Sequence, residues 1–166
     1  GNLGDSYLGL KALSNKAKFK NNDKLFFIDK YYKPDLPLSL TKYLLKFANS
    51  SIDISDGLFD DLAKMINRQN LSFHLFENKI PVSKKFSNLI KKQKLNKINQ
   101  ISNGDDYQVL FTADINKARI IQNASKTTGI KITKIGKIVS GKDRSLIFDE
   151  KGKQIQAKSK GYIHQF

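Results

Sequence analysis

The acidic residues of this chain are most informative where they cluster beside glycine. The 166 residues contain 30 Lys and Arg but only 15 Asp and Glu, so carboxylates are scarce. Three short segments nevertheless combine them with glycine, at residues 4–6, 53–57 and 104–106. Carboxylate oxygens are ligands for hard cations, and a helix that begins nearby favours phosphate. These segments are therefore the first candidates for chemistry.

The middle segment has the most specific spacing. If the isoleucines on either side of Asp53 point into the core, the alternation of an extended chain places Asp53 and Ser55 together on the opposite face. The chain then turns at Asp56 into a helix, whose free N–H groups favour phosphate. Magnesium is typically held by one or two carboxylates, water and substrate oxygens. Asp53 and Asp56 therefore suit Mg²⁺ bridged to nucleotide phosphates.

Purely structural roles for the same residues stay open. Ser55 or Asp56 could act as a helix N-cap, and Asp60 with Lys64 has the spacing of a surface ion pair. The residues at 104–106 are typical of a tight turn, and those at 5–6 are typical of a cap. Spacing alone does not separate these roles from metal binding.

The hydrophobic pattern indicates an α+β fold, with a mixed β-sheet covered by helices. Helical spacing predicts helices over residues 5–13, 23–32, 39–48, 57–67, 84–94 and 115–128. Alternation and β-branched residues predict an extended segment at 52–54 and strands over 71–76, 107–112 and 130–139. A closing hairpin is predicted from residues 145–148 and 154–156.

Composition excludes several functional classes. The chain has no cysteine, which removes disulfides, thiolate metal sites and cysteine nucleophiles. No apolar run is long enough to cross a bilayer, so we expect a soluble, cytoplasmic protein without a membrane partner. The net charge of +15 comes almost entirely from lysine, whereas bidentate recognition of phosphate and guanine is usually the work of arginine. A nucleic-acid-binding module is therefore the less favoured alternative.

Taken in order, the glycine-bounded motifs resemble the C-terminal domain of thiamine-monophosphate kinase over essentially the whole chain. The most specific block is Ile-Asp-Ile-Ser-Asp-Gly-Leu at residues 52–58. The full set is Gly4-Asp5-Ser6-x-x-Gly9-Leu10, Ile52-Asp53-Ile54-Ser55-Asp56-Gly57-Leu58-x-x-Asp61-Leu62, Ile80-Pro81-Val82-Ser83, Gly104-Asp105-Asp106-Tyr107, Gly136-Lys137-Ile138 and Gly161-Tyr162-Ile163-His164.

This resemblance implies an ATP- and Mg²⁺-dependent kinase that converts thiamine monophosphate to thiamine diphosphate. It further implies that Asp53 and Asp56 are magnesium ligands, that Ser55 contacts ATP, and that Asp105 and Tyr162 contact the thiamine moiety. No residue is assigned as a nucleophile or base, which agrees with phosphoryl transfer as a reaction that depends on charge neutralisation.

The resemblance also implies a domain organisation. Residues 1–166 would form a single C-terminal domain with the fold of aminoimidazole ribonucleotide synthetase-like enzymes. An N-terminal domain that binds ATP and magnesium and forms a homodimer would be absent from this chain, which would then be inactive alone. The family pattern usually has Glu where this chain has Gln108. Other ATP-dependent enzymes of the superfamily, of the selenophosphate synthetase or aminoimidazole ribonucleotide synthetase type, are the alternative.

Overall fold

Six strands form two separate sheets in the computed structural model, which describes residues 1–17, 19–67 and 69–156. A two-stranded antiparallel sheet pairs the first strand with the third, and a four-stranded sheet has the order fourth, second, fifth, sixth. The strands are β1 (Ser50–Asp53), β2 (Leu71–Phe76), β3 (Val109–Thr112), β4 (Gly136–Ser140), β5 (Leu146–Phe148) and β6 (Gln154–Ile155).

The four-stranded sheet is mixed. β2 runs antiparallel to β4 and parallel to β5, and β6 closes the sheet as the antiparallel partner of β5. Gly136 permits the pairing of β4 with β2, because a Cβ at this position would lie 2.2 Å from the carbonyl oxygen of His74. The predicted α+β class, its mixed sheet and the closing hairpin are therefore confirmed.

The helices pack around these sheets, and short 3₁₀ turns at Leu38–Leu40, Glu77–Lys79 and Ile115–Lys117 connect several of them. They are α1 (Asp5–Leu13), α2 (Asn21–Tyr32), α3 (Thr41–Leu44), α4 (Leu58–Met65), α5 (Lys84–Gln93), α6 (Lys97–Ile101) and α7 (Ala118–Thr128). None of the helices within the described ranges is both long and apolar enough to cross a membrane.

One large hydrophobic core holds most of these elements together. Phe27 of α2, Leu58 of α4 and Phe86 of α5 are each inaccessible to solvent and belong to this core. A smaller cluster forms around Leu40, Phe47 and residues of α7, with Phe111 of β3 packed against it. Burial of apolar surface is the main favourable contribution to folding, so the larger core anchors the elements next to the acidic segments.

Two predicted elements differ from the structure, and one helix was not predicted. The helix predicted over residues 39–48 forms only as a 3₁₀ turn followed by α3, because Phe47 N–H bonds to the Leu44 carbonyl three residues earlier and tightens the chain. The strand predicted over 130–139 forms only at β4, since Ile130 packs on the smaller cluster and Ile138 on the larger core. The sequence pattern missed α6 (Lys97–Ile101), which follows the N-cap Asn96.

Candidate functional site

The middle and third acidic segments lie against each other, joined backbone to backbone. The Ile54 N–H donates to the Gln108 carbonyl at 2.8 Å, and the Tyr107 N–H donates to the Ile54 carbonyl at 2.9 Å. The Asp105 N–H donates to the Ser55 carbonyl at 2.9 Å. These bonds continue the pairing of β1 with β3 beyond the ends of the strands. They bring the segment that carries Asp53, Ser55 and Asp56 next to the one that carries Asp105.

Two glycines make this close approach possible. A Cβ on Gly104 would lie 1.6 Å from the carbonyl oxygen of Ser55, and a Cβ on Gly57 would lie 2.2 Å from that of Ser102. Gly57 also has a φ of +126°, which L side chains rarely adopt. The glycines in the two motifs are therefore required by the crossing of the two segments.

The buried side chain of Asp61 forms hydrogen bonds with the backbone of the middle acidic segment, residues 53–57. Its side chain is 1% exposed, and Oδ2 accepts hydrogen bonds from the N–H groups of Ser55, Asp56 and Gly57 at 3.0, 2.9 and 3.1 Å. Three consecutive N–H groups directed at one oxygen form a concave anion site. Because the carboxylate of Asp61 fills it, the N–H groups of residues 55–57 are not available to phosphate.

Lys64 supplies positive charge at the same place. Its ammonium group bonds to the carboxylate of Asp56, lies 3.1 Å from Oδ1 of Asp61 and lies 3.3 Å from Oδ2 of Asp60. The pKa of Lys64 is raised, chiefly by the hydrogen bond to Asp56. The surface pair anticipated between Asp60 and Lys64 therefore exists, but it is part of a larger group of charges that includes a proposed metal ligand.

The first acidic segment, residues 4–6, is bonded to the third, residues 104–106, through the side chain of Asp106. Oδ2 of Asp106 accepts from the Gly4 N–H at 2.6 Å, and Oδ1 accepts from the Ser6 N–H at 3.3 Å, so Asp106 caps α1. Burial raises the pKa of Asp106 to about 7. The Ser83 hydroxyl donates to Asp5 at 2.7 Å, and burial raises the pKa of Asp5 to about 6. Asp5 and Asp106 are therefore buried carboxylates with structural contacts at the start of α1.

The remaining carboxylates act electrostatically on Tyr107, which is 40% exposed. Burial raises the pKa of Tyr107, and the negative charges of Asp105, Asp53 and Asp56 raise it further. Burial and the charge of Asp56 likewise raise the pKa of Asp105. Asp105 and Tyr107 both have positive φ values, 67° and 50°, which are unusual for residues other than glycine and are concentrated at functional sites.

The donors of this site fit magnesium better than a metal that needs a full protein cage. No cluster of three or more His, Cys, Asp or Glu suited to a metal ion occurs in the part of the chain that the structure describes. Asp53 is exposed and Asp56 is half-buried, so two carboxylates face solvent beside the start of α4. Magnesium is commonly held by one or two carboxylates together with waters and substrate phosphates.

The structure thus brings together four of the five predicted site residues: Asp53, Ser55, Asp56 and Asp105. Tyr162, the fifth, lies outside the described residues. No role was predicted from the sequence for the buried carboxylate of Asp61 or for the cap at Asp106. The only local signal for Asp61 is its position four residues after the glycine of the turn, a spacing equally typical of a surface residue in the first turn of a helix.

No family model matches the chain, but the similar proteins found by comparison share one name. Thiamine-monophosphate kinase from Buchnera aphidicola subsp. Schizaphis graminum is 34% identical over 167 residues, covering 99% of this chain and 50% of that protein. The enzyme from Aquifex aeolicus is 33% identical over 113 residues, covering 68% and 37% respectively. The chain spans about half the length of the curated relatives it matches.

Solved structures of similar fold include the same kind of protein. AaThiL complexed with AMPPCP and TMP superposes with a TM-score of 0.75 at 28% identity, over 99% of this chain and 49% of that one. The hydrogenase maturation protein HypE from E. coli superposes with a TM-score of 0.70 at 14% identity, which shows the shared fold alone. The chain therefore has the aminoimidazole ribonucleotide synthetase-related fold. Within that class, the relatives that it resembles over nearly its whole length are thiamine-monophosphate kinases, of which it matches about one half.

Proposed function

We propose that this chain is the C-terminal domain of a thiamine-monophosphate kinase, which transfers the γ-phosphoryl group of ATP to thiamine monophosphate. The observation that carries the proposal is the backbone pairing of the segments at 53–57 and 104–107, which brings the residues Asp53, Ser55 and Asp56 next to Asp105, none of them fully buried. The similarity to AaThiL, complexed with AMPPCP and TMP, supports ATP and thiamine monophosphate as the two ligands.

In the proposed reaction, a phosphate oxygen of thiamine monophosphate forms a bond to the γ-phosphorus of ATP. The bond from that phosphorus to the β,γ-bridging oxygen breaks, and ADP leaves with the electron pair. Such a transfer depends on positioning and charge neutralisation rather than on a protein nucleophile. This requirement agrees with a site built from carboxylates, a hydroxyl and a lysine.

Each site residue then has a role. Asp53 and Asp56 hold Mg²⁺, which when bound neutralises phosphate charge, and the Ser55 hydroxyl contacts ATP. Asp105 binds the thiamine moiety, whose thiazolium ring is cationic and is attracted by a half-buried carboxylate. Tyr162 contacts the same moiety, where an aromatic ring would add cation–π attraction.

We propose in addition that this domain works with an N-terminal domain that supplies the remaining metal and nucleotide contacts, and that the whole protein is a homodimer. The extent of the match supports the first part, because the chain covers 50% of its Buchnera relative. On this proposal the 166 residues alone have no kinase activity.

The test measures thiamine diphosphate formed from thiamine monophosphate and Mg-ATP by the protein at its natural length. Asp53→Asn and Asp56→Asn should each lower kcat/KM by roughly 100-fold, because a bound metal contributes several kcal/mol to stabilising the transition state. Asp29→Asn is the matched control: it removes one charge from an exposed position on α2 and should leave kcat/KM unchanged. Failure of the unsubstituted protein to form thiamine diphosphate would overturn the proposal.

A further inference from the structure

We infer that Asp61 is a positioning residue for the metal-binding segment: its buried carboxylate fixes the backbone of residues 55–57 and thereby sets the geometry of the Asp53 and Asp56 side chains. The inference rests on the proposed function for its consequence in catalysis. Its structural part rests on contacts within the described residues alone.

The contacts of Asp61 are unusual for a residue in the first turn of a helix. Acidic residues at that position normally act through the helix dipole or bond to N–H groups of their own helix. Here a single oxygen accepts three N–H groups that precede α4, all between 2.9 and 3.1 Å. Hydrogen bonds to a charged acceptor are about twice as strong as neutral ones, so the loop is held by an unusually rigid anchor.

The anchor acts on both proposed ligands. Asp56 lies within the bonded stretch, and Asp53 lies two residues before Ser55, the first N–H that Asp61 accepts. From the opposite side, the Asp105 N–H bonds to the Ser55 carbonyl. Ser55 is therefore held through both its N–H and its carbonyl group, and the chain that carries the two ligands has little freedom to rearrange.

The second oxygen of Asp61 connects the anchor to the ligand charges. Oδ1 accepts from the Lys64 ammonium at 3.1 Å, and the same ammonium bonds to Asp56. Lys64 therefore lies between a carboxylate that organises the backbone and one that is proposed to bind metal. Residues that orient metal ligands in this way typically change metal affinity when they are replaced.

The decisive variant is Asp61→Asn, which keeps the size of the side chain and removes its charge. Asp60→Asn is the matched control, since Asp60 is the neighbouring acid on α4 and contacts the same Lys64 at 3.3 Å. The structure gives Asp60 no hydrogen bond from the N–H groups at 55–57, so the control removes a nearby charge without removing the anchor.

Two measurements on the protein at its natural length test the inference. The first is amide hydrogen exchange at residues 55–57 by NMR without metal, which Asp61→Asn should accelerate about tenfold or more and Asp60→Asn should leave within about twofold. The second is Mn²⁺ titration in the presence of AMPPCP, in which Asp61→Asn should weaken metal binding about 10- to 100-fold. The half-saturating Mg²⁺ concentration for activity should rise in parallel.

The outcomes separate this inference from the proposed function. If Asp61 has a purely structural role, Asp61→Asn should lower the melting temperature but leave the Mn²⁺ affinity, measured well below that temperature, at the unsubstituted value. That result would overturn the inference. If the unsubstituted protein forms no thiamine diphosphate yet binds Mn²⁺ in a manner that depends on Asp61, the proposed function fails and the positioning role stands.

Discussion

Asp106 caps helix α1 through Gly4, with 2.6 Å between its Oδ2 and the Gly4 nitrogen, although the two residues are 102 positions apart in the chain. The N–H groups at the start of a helix have no partner within the helix, and a carboxylate satisfies them best. In most helices this carboxylate comes from the adjacent residues. Here it comes from the segment that also carries Asp105, so the cap ties the start of the chain to the candidate site.

Asp106→Ala should therefore lower the free energy of unfolding by about 1–3 kcal/mol, the usual cost when buried N–H groups lose their hydrogen-bond acceptor. Urea denaturation at neutral pH measures the change. Asp114→Ala is a suitable control, because Asp114 is exposed and its side chain bonds only to the Asn49 side chain among the contacts described. The substitution should change stability by less than about 0.5 kcal/mol. Equal losses in the two variants would contradict the capping role.

The buried acids should also make stability depend on pH. Burial raises the pKa of Asp106 to about 7 and that of Asp5 to about 6, above the ordinary value of 3.8 for an aspartate. In the folded state both groups hold their protons at pH values where the unfolded chain has released them. The contribution of this linkage is therefore fully present below about pH 4 and is lost as the pH rises to about 7.

Denaturant midpoints measured between about pH 4 and pH 8 test this dependence. The free energy of unfolding should fall with rising pH by less in Asp106→Asn than in the unsubstituted protein, because asparagine does not titrate. The same slope in both proteins would show that Asp106 does not carry the effect.

The crossing of the two acidic segments predicts a severe effect for Gly104→Ala. The new Cβ would lie 1.6 Å from the Ser55 carbonyl oxygen, and backbone on both sides would have to move. We expect a loss of about 3 kcal/mol or more, beyond the usual range for a single substitution. Thermal unfolding provides the measurement.

Gly152→Ala separates this clash from ordinary backbone strain. Gly152 has a φ of +77°, but a Cβ at this position would meet nothing within 4 Å, so its replacement costs only the left-handed conformation, about 1–2 kcal/mol. If Gly104→Ala destabilises the protein less than Gly152→Ala does, the close packing of the two segments is contradicted.

The sequence pattern is sufficient for elements whose signal is local. Alternation of apolar residues located β2, and apolar residues at helical spacing located α5 and α7 to within a few residues. The pattern fails where the chain switches cores, as at residues 130–135, or where a helix has a single turn and depends on its cap, as at α6.

In the candidate site, too, local sequence signals predict some features and tertiary packing decides the others. Asp53, Ser55 and Asp56 are recognisable from their spacing, but their proximity to Asp105 depends on a backbone pairing between segments about 50 residues apart. The role of Asp61 depends on which acid of α4 is buried: Asp61 is 1% exposed, whereas its neighbour Asp60 is partly exposed. Burial of this kind is a property of the tertiary packing, and two adjacent aspartates carry no local signal that distinguishes them.

The ammonium group of Lys64 leads to a last prediction, which rests on magnesium binding at Asp53 and Asp56. Lys64 bonds to Asp56 and also contacts the carboxylates of Asp60 and Asp61, so it neutralises charge that would otherwise attract a divalent cation. Lys64→Met keeps the aliphatic stem and removes that charge. At low ionic strength the variant should bind Mn²⁺ about two- to fivefold more tightly, corresponding to the roughly 0.2–1 kcal/mol of a typical exposed ion pair.

The same variant should be less stable without metal, because three neighbouring carboxylates lose their shared cation, and millimolar Mg²⁺ should restore part of the lost melting temperature. Lys79→Met provides the control, since Lys79 lies over the ring of Phe76 away from this carboxylate group and should leave Mn²⁺ affinity unchanged. The competition between Lys64 and the metal would be refuted by weaker Mn²⁺ binding in Lys64→Met, which would instead make the ammonium group part of the apparatus that holds the metal-binding segment in place.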